Sequence, residues 1–310
     1  MSPLPLAAAA LAVTLLTACG SVGAGGAGSG SPTPTTAGDQ GRAQRAAHLL
    51  ERYAKGAAGS PTVDLGDQLE QQVGDWEPAV GENNKRALLT GHLVAVAPLP
   101  PAPGPGRVLH GTGRGVATTV ISAADALAAI TSRRSDCDGC TDLRVTGAVL
   151  TSMDVRNSAG TVTVPAWRFS FDGTAVTVLR VAVPLSGVIR ATPRSTTQPA
   201  PGDGLAADSF SLEPDGRTLR LHFVGAPDEP GPCGADYRGE QWSSADAVVV
   251  TVVQVPREDT GQDIACTAIG ALRTVDVVLG DPLADRTVLN LAGGGVVVRG
   301  SGPSVGLPPP

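Results

Sequence analysis

The sequence predicts an α+β chain, mainly β: an N-terminal α+β domain of helices plus an antiparallel meander, followed by a small all-β, sandwich-like domain. Three observations carry that prediction. Short apolar/polar alternations recur and are cut by turn residues, with Asp172-Gly173 and Pro214-Asp215-Gly216 as the clearest hairpin signals. Helical spacing of apolar residues is confined to the first half. Between the halves, residues 191–206 show no periodicity and are rich in Pro, Thr and Gly, which predicts a linker. Aromatic residues are only 3% of the chain against 42% hydrophobic, so the core has to be built from Val, Leu and Ala.

At the N-terminus, residues 4–16 form an apolar run broken by Pro5 and Thr14. It is shorter than the ~20 residues a spanning helix needs and has the length of a signal-peptide core. It ends in Leu16-Thr17-Ala18-Cys19-Gly20, which resembles the lipobox of bacterial lipoproteins: a Leu, two small residues, then Cys. The resemblance implies that residues 1–18 are a signal peptide and that the Cys19 thiol takes a diacylglyceryl group. Cys19 then becomes the new N-terminus, anchored by acyl chains such as palmitate. Several chains meet the two-signal requirement for stable anchoring. One feature departs from the pattern: Met1-Ser2-Pro3 carries no Lys or Arg. Residues 19–40, rich in Gly, Ser, Ala, Thr and Pro, read as the lipidated Cys and a flexible tether.

The first domain is expected over residues 41–190. Ala43, Ala46, Ala47, Leu50 and Tyr53 lie at helical spacing and predict a helix over 42–55, ended by Gly56. Leu65, Leu69 and Val73 fit helix or strand. Residues 87–97 are apolar enough for a buried strand, and 98–106, with five prolines, for an extended loop. Residues 107–110 and 116–120 predict a hairpin around the glycines of 111–115. Ser122 with Asp125 three residues on has the form of a capping box and opens a helix to about residue 132. Strands are expected at about 143–156, 161–171 and 174–183, with Trp167, Phe169 and Phe171 on one face. Beyond the linker, 207–301 reads as strand after strand: 210–212, 218–224, 247–255, 272–279, 287–291 and 296–299. Residues 247–255 are apolar on both faces and predict a central strand. Residues 302–310 are a Pro-rich tail.

Five cysteines are present, and setting Cys19 aside leaves Cys137, Cys140, Cys233 and Cys266. An even number in an exported chain reads as a disulfide framework with three possible connectivities. The favoured one is Cys137–Cys140 and Cys233–Cys266, one within each domain. Chain entropy gives about 2 kcal/mol for the short loop and about 3.5–4 kcal/mol for the long one. The Cys137-Asp-Gly-Cys140 motif also has redox and metal readings. Redox chemistry needs the first Cys at a helix N-terminus, whereas here a helix precedes the motif, and Asp136, Asp138 and Asp142 all raise a thiol pKa. A zinc site needs a second ligand pair, and neither Cys233 nor Cys266 has one nearby in sequence. The structural bridge is therefore preferred.

Other chemistry is sparse. His48, His92, His110 and His222 are isolated in sequence, and His222 alternates with Leu221 and Phe223, pointing away from the apolar face. No Gly-x-Ser-x-Gly elbow exists. Gly111, Gly113 and Gly115 have GxGxG rather than dinucleotide-binding spacing. The Asp138/Asp142 and Asp281/Asp285 pairs do not fit a calcium loop, and Asp281/Asp285 reads as a turn with Arg286 as local partner. Trp76 and Trp242 sit beside polar residues, so core and ligand-stacking roles both stay open for them. The net charge of −6 and scattered basic residues argue against nucleic acid.

The segments Val164-Pro-Ala-Trp-Arg-Phe169, 174–183 and 281–289, with Asp75-Trp-Glu-Pro78 and Gly81-Glu-Asn-Asn-Lys85, resemble uncharacterised lipoproteins of actinomycetes from about residue 65 onward. The resemblance carries over no catalytic residue. The expectation is a non-enzymatic binding or scaffold lipoprotein on the extracytoplasmic face of the cell membrane. It would be held by the lipid on Cys19, with no cofactor or metal and with a protein or envelope ligand as partner. Two alternatives remain: a secreted hydrolase assembled from distant groups such as Asp75, Glu77, Asp236 and Glu240, and a thiol redox lipoprotein using Cys137 and Cys140.

Overall fold

In a computed structural model, the chain is described at residues 37–55, 63–77, 81–110, 115–185, 189–192, 202–231, 233–255, 257, 266 and 269–300. Cys19, the signal peptide, the hairpin tip 111–114, most of the linker and the Pro-rich tail lie outside those residues. From Ala37 onward the protein forms one compact unit. It is α+β, mainly β, as the periodicity predicts.

In chain order the first part comprises α1 (Ala37–Lys55), β1 (Val63–Asp64), β2 (Glu70–Val73), α2 (Gly81–Leu89), β3 (Leu93–Ala95), β4 (Gly104–His110), β5 (Gly115–Val120), α3 (Ala123–Thr131), β6 (Leu143–Asn157), β7 (Gly160–Phe171), β8 (Thr177–Val181) and β9 (Ile189–Arg190). The second comprises β10 (Ser209–Leu212), β11 (Thr218–Gly225), β12 (Asp236–Ser243), β13 (Ala247–Val255), β14 (Ala271–Val278), β15 (Thr287–Asn290) and β16 (Val298–Arg299).

The long antiparallel pair β6–β7 is the spine of a seven-stranded sheet. Strand β3 runs parallel to β6, while β7 is flanked along one end by β8 and β2 and at the other by β4 and β5. Odd positions of β7 (Trp167, Phe169, Phe171) meet Ala87 and Leu88 of α2 and Ala126, Leu127 and Ile130 of α3. Even positions (Val162, Val164, Ala166) meet Val108, Met153, Leu179 and the short parallel pair β1–β9. The predicted cap of α3 is present: the Ser122 hydroxyl accepts from the Asp125 amide at 3.1 Å.

Three local expectations are corrected. Residues 87–89 belong to α2 rather than to a strand, because Gly81, Asn84, Ala87 and Leu88 form one buried helical face. The helix ends in a Schellman motif: the His92 amide bonds the Ala87 carbonyl and the Gly91 amide bonds that of Leu88, with Gly91 at φ 73°. His92 thus follows a helix cap and precedes β3. Strand β4 starts at Gly104, inside the expected loop. Pro105 is tolerated there because only the far end of β4, Leu109 and His110, pairs with β7.

The second part is two sheets, β14–β11–β10–β16 and β12–β13–β15, around one core of Phe210, Leu219, Leu221, Phe223, Val248, Val250, Val252 and Val288. A bridge between Leu289 and Val296 joins the sheets on one side. Helix α1 was expected in the first domain but packs here: Ala46, Leu49 and Tyr53 lie on Ala247, Val249 and Leu289 of the outer faces of β13 and β15, and on Leu291 just beyond β15. It begins at Ala37, so the last four residues assigned to the tether are helical. At the end of the expected linker, Leu205 forms a two-way bridge with Val252, and the Thr251 hydroxyl donates to the Asp203 carbonyl. Gly204 between them has φ 85°, and a Cβ there would sit 2.5 Å from the Val252 oxygen, so only glycine fits.

The β6–β7 turn inserts between the two parts. The hydroxyl of Ser158, 4% exposed, accepts from the Val288 amide at 2.9 Å and donates to the Val297 carbonyl at 2.9 Å. Ser158→Ala leaves a buried amide and carbonyl short of a partner. We expect it to lower stability by about 1–3 kcal/mol in denaturant titration, with the unchanged slope of a single cooperative transition.

Candidate functional site

The two predicted cysteine pairs are joined: Cys137–Cys140 and Cys233–Cys266. The first sits between the end of α3 and the start of β6. Helix α2 holds its loop: the Asn83 side-chain oxygen accepts from the Thr141 amide at 2.8 Å, and Arg86 donates to the Asp138 carbonyl at 2.6 Å. His92 places Nε2 2.9 Å from the Ser135 carbonyl and Nδ1 3.3 Å from Asp142, which also accepts from Arg134 at 3.1 Å. Thus Asp142 is engaged by two side chains rather than set beside Asp138 as a metal ligand. Among the described residues no group of three or more His, Cys, Asp or Glu side chains could hold a metal ion. Nor is any described helix long and apolar enough to cross a membrane.

The four carboxylates offered as a hydrolase site do not converge. Glu77 accepts from the Thr174 hydroxyl at 2.7 Å and the Ala175 amide at 3.0 Å, and these bonds, the hydroxyl's first, hold it below the usual carboxylate range. Asp75 is exposed beside it. Asp236 and Glu240 lie on β12, in the second part. Asp236 takes a two-point contact from Arg257 at 2.7 and 3.0 Å. Glu240 takes one from Arg42 of α1 at 2.7 and 2.9 Å. Arg42 also binds Asp39 and the Gly202 carbonyl, Arg238 closes the ring onto Asp39 and Glu240, and Arg45 pairs with Asp203. This network clamps the first turns of α1 to β12.

The remaining candidates resolve individually. Trp167 is core, with its indole N–H donating to the Ile121 carbonyl at 2.9 Å. Trp76 packs against the same core, tilted on Phe171, and Trp242 packs under α1. Asp281 and Asp285 lie in a turn where Arg286 donates to the Asp281 and Pro282 carbonyls. His48 is exposed on α1, and His110 ends β4 half-buried.

Two arrangements were not foreseen. On the outer face of the β10–β11 ladder, Ser211 Oγ lies 2.9 Å from His222 Nε2. Alternation pointed His222 outward, but only the register of the Pro214 turn brings Ser211 to it. Burial first, then the charge of Arg220, pushes His222 below its ordinary value of 6.5. Arg220 is a cation, paired with Asp276 and Glu213, where a catalytic histidine needs a carboxylate to orient it. The pair therefore reads as a cross-strand contact. The second arrangement lies where the two parts meet. Tyr53 of α1 donates its hydroxyl to Thr287 at 2.8 Å, and burial, with the charge of Asp64, pushes that phenol up to about 12. The Arg190 guanidinium lies over its ring.

Comparison with known protein families, with curated proteins and with solved structures finds no match.

The unfolded chain takes up a proton at His222 that the folded chain resists. Stability is therefore lost as pH falls through 6.5, in a window above that of the carboxylates. His222→Gln should flatten that part of the profile, measured as unfolding midpoints between pH 7.5 and 5. An unchanged slope would refute the assignment.

Proposed function

We propose that the chain is an exported, lipid-anchored module of the cell envelope that works by binding a protein or envelope ligand rather than by catalysis. The single observation that carries this is Leu16-Thr17-Ala18-Cys19 at the end of a short apolar run. Two disulfides on the folded body support it, since such bridges persist in oxidising compartments. The sequence likeness to actinomycete lipoproteins points the same way. The binding half rests on the body's chemistry: its candidate carboxylates fall into two separate places, Asp75 and Glu77 in the loop after β2 and Asp236 and Glu240 on β12, and Glu77, Asp236 and Glu240 are tied to hydroxyl and backbone donors or to arginines. A general acid–base pair needs two such groups converging on one reacting atom. The redox alternative is disfavoured by position, because Cys137 follows a helix C-terminus and Asp138 and Asp142 stand beside it.

Cys19→Ala should leave the protein unprocessed or release it to the medium, whereas the wild type partitions with membranes and carries the mass of the acyl groups. Identical fractionation and mass for both would overturn the anchor.

A further inference from the structure

Arg190 ends β9, in register with Asp64 on the parallel strand β1. Its guanidinium stacks 4.1 Å from the centre of the Tyr53 ring, and Nη1 donates to the Tyr53 carbonyl at 3.1 Å. These contacts fix the plane of the group and use one corner of it. The next edge, formed by Nε and Nη2, presents two parallel N–H bonds. Both nitrogens are buried without a hydrogen-bond partner among the described residues. The neighbouring carboxylate is committed elsewhere: Asp64 accepts from the Gly66 amide at 2.9 Å, the Thr192 amide at 3.1 Å and the Thr192 hydroxyl at 2.6 Å. The undescribed stretches beside Tyr53 and Arg190 in sequence, 56–62, 186–188 and 193–201, contain no Asp or Glu.

Arg180 makes a useful contrast. Its Nε also lacks a partner, but its charge is met by Glu70, 2.9 Å from Nη1. Arg190 makes no ion pair among the described residues. A buried donor left without an acceptor is costly, and more so when it carries charge. Two parallel guanidinium N–H bonds match two oxygens of a carboxylate or phosphate, and a low-dielectric surround strengthens the match.

We propose that Arg190 is an oxyanion-binding residue, taking a carboxylate or phosphate group of an external ligand side-on through Nε and Nη2 while the Tyr53 ring holds the guanidinium in plane. The proposal deepens the binding reading and rests on it. Membrane fractionation tests the anchor and anion titration tests the site, so either can fail without the other.

The test uses the purified full chain. Thermal unfolding is followed in acetate, in inorganic phosphate and in chloride at matched ionic strength, for the wild type, Arg190→Lys and Arg190→Met. Methionine keeps an apolar stem against Tyr53 and removes the two unpartnered N–H donors. We expect a saturable rise in the unfolding midpoint with acetate or phosphate, weakened in Arg190→Lys and lost in Arg190→Met. The anion that saturates at lower concentration identifies the carboxylate or the phosphate source. Independently, the Arg190 Nε–H proton resonance should move downfield with the same saturation. No saturable effect of either anion, or an equal effect in Arg190→Met, overturns the site. So does an Nε–H resonance that ignores added anion. If Arg190→Met does not fold, the wild-type resonance alone decides.

Discussion

Strand β13 is apolar on both faces, and covering its second face organises the rest of the chain. Val248, Val250 and Val252 point into the core between the two sheets, while Ala247 and Val249 point out. A buried Val side chain is worth roughly 1.5–3 kcal/mol relative to an exposed one, so the outer face needs a partner. Helix α1 supplies it with Ala46, Leu49 and Tyr53. Because α1 comes first in the chain and the strands it covers come last, the intervening part is an insertion. Its entry and exit must then lie side by side. They do: β1 and β9 pair in parallel, Val63 against Ile189 and Asp64 against Arg190.

Apolar contact alone leaves the helix free to slide, since one row of small side chains resembles the next. The ion network at the start of α1 removes that freedom. Arg42 grips Glu240 at two points and Asp39 on its own helix, and Arg238 ties the same two carboxylates from β12. Against an apolar replacement a buried pair adds little net stability, but deleting one partner strands the other at a cost of about 3–5 kcal/mol. In this fold the network acts as a register device: by tying the start of α1 to β12, it specifies one seating of the helix on the apolar face of β13 and β15.

Strand β12 is also where sequence reasoning fails. Residues 236–243, Asp-Tyr-Arg-Gly-Glu-Gln-Trp-Ser, show no apolar alternation, because β12 is an edge strand whose core contacts are confined to Tyr237 and Trp242 and which is otherwise held by Arg42 and Arg257. Periodicity reports that a face is buried and is silent about what buries it. Hence the helix over 42–55 was legible and its partner was not. Turn chemistry and parity were sufficient elsewhere. The Ser122 cap and the Trp167, Phe169 and Phe171 face stand where the residues place them, while the chain turns at Asp172-Gly173 but reaches β8 only at Thr177, later than the expected 174. The apolar stretch 87–97 misled because its first three residues close a helix and only three of the later ones form a strand. At the sites, the cysteine pairing followed from count and spacing. The contact of Ser211 with His222 needed a ladder register, and the environment of Arg190 needed the whole fold.

Many of the charges among the described residues are met. Glu70 sits between Arg133 and Arg180, Asp276 faces Arg220, and Asp236 faces Arg257. Each of these pairs lies within one part of the fold, where neighbouring strands and turns can evolve a partner at a fixed register. Arg190 lies instead where three segments distant in sequence come together: the end of α1, the strand entering the insertion and the strand leaving it. Such a junction has few backbone groups committed to ladders and several hydroxyls nearby, as the contacts of Thr192 and Thr287 show. Among the described residues the other buried side-chain nitrogens without a partner are Trp76 Nε1 and Arg180 Nε, one atom each, whereas Arg190 has two, and a sequence tends to break its own rules where it carries function. A guanidinium held by an aromatic ring, with one buried edge left without a partner, is an arrangement whose stability cost makes sense once an anion meets it.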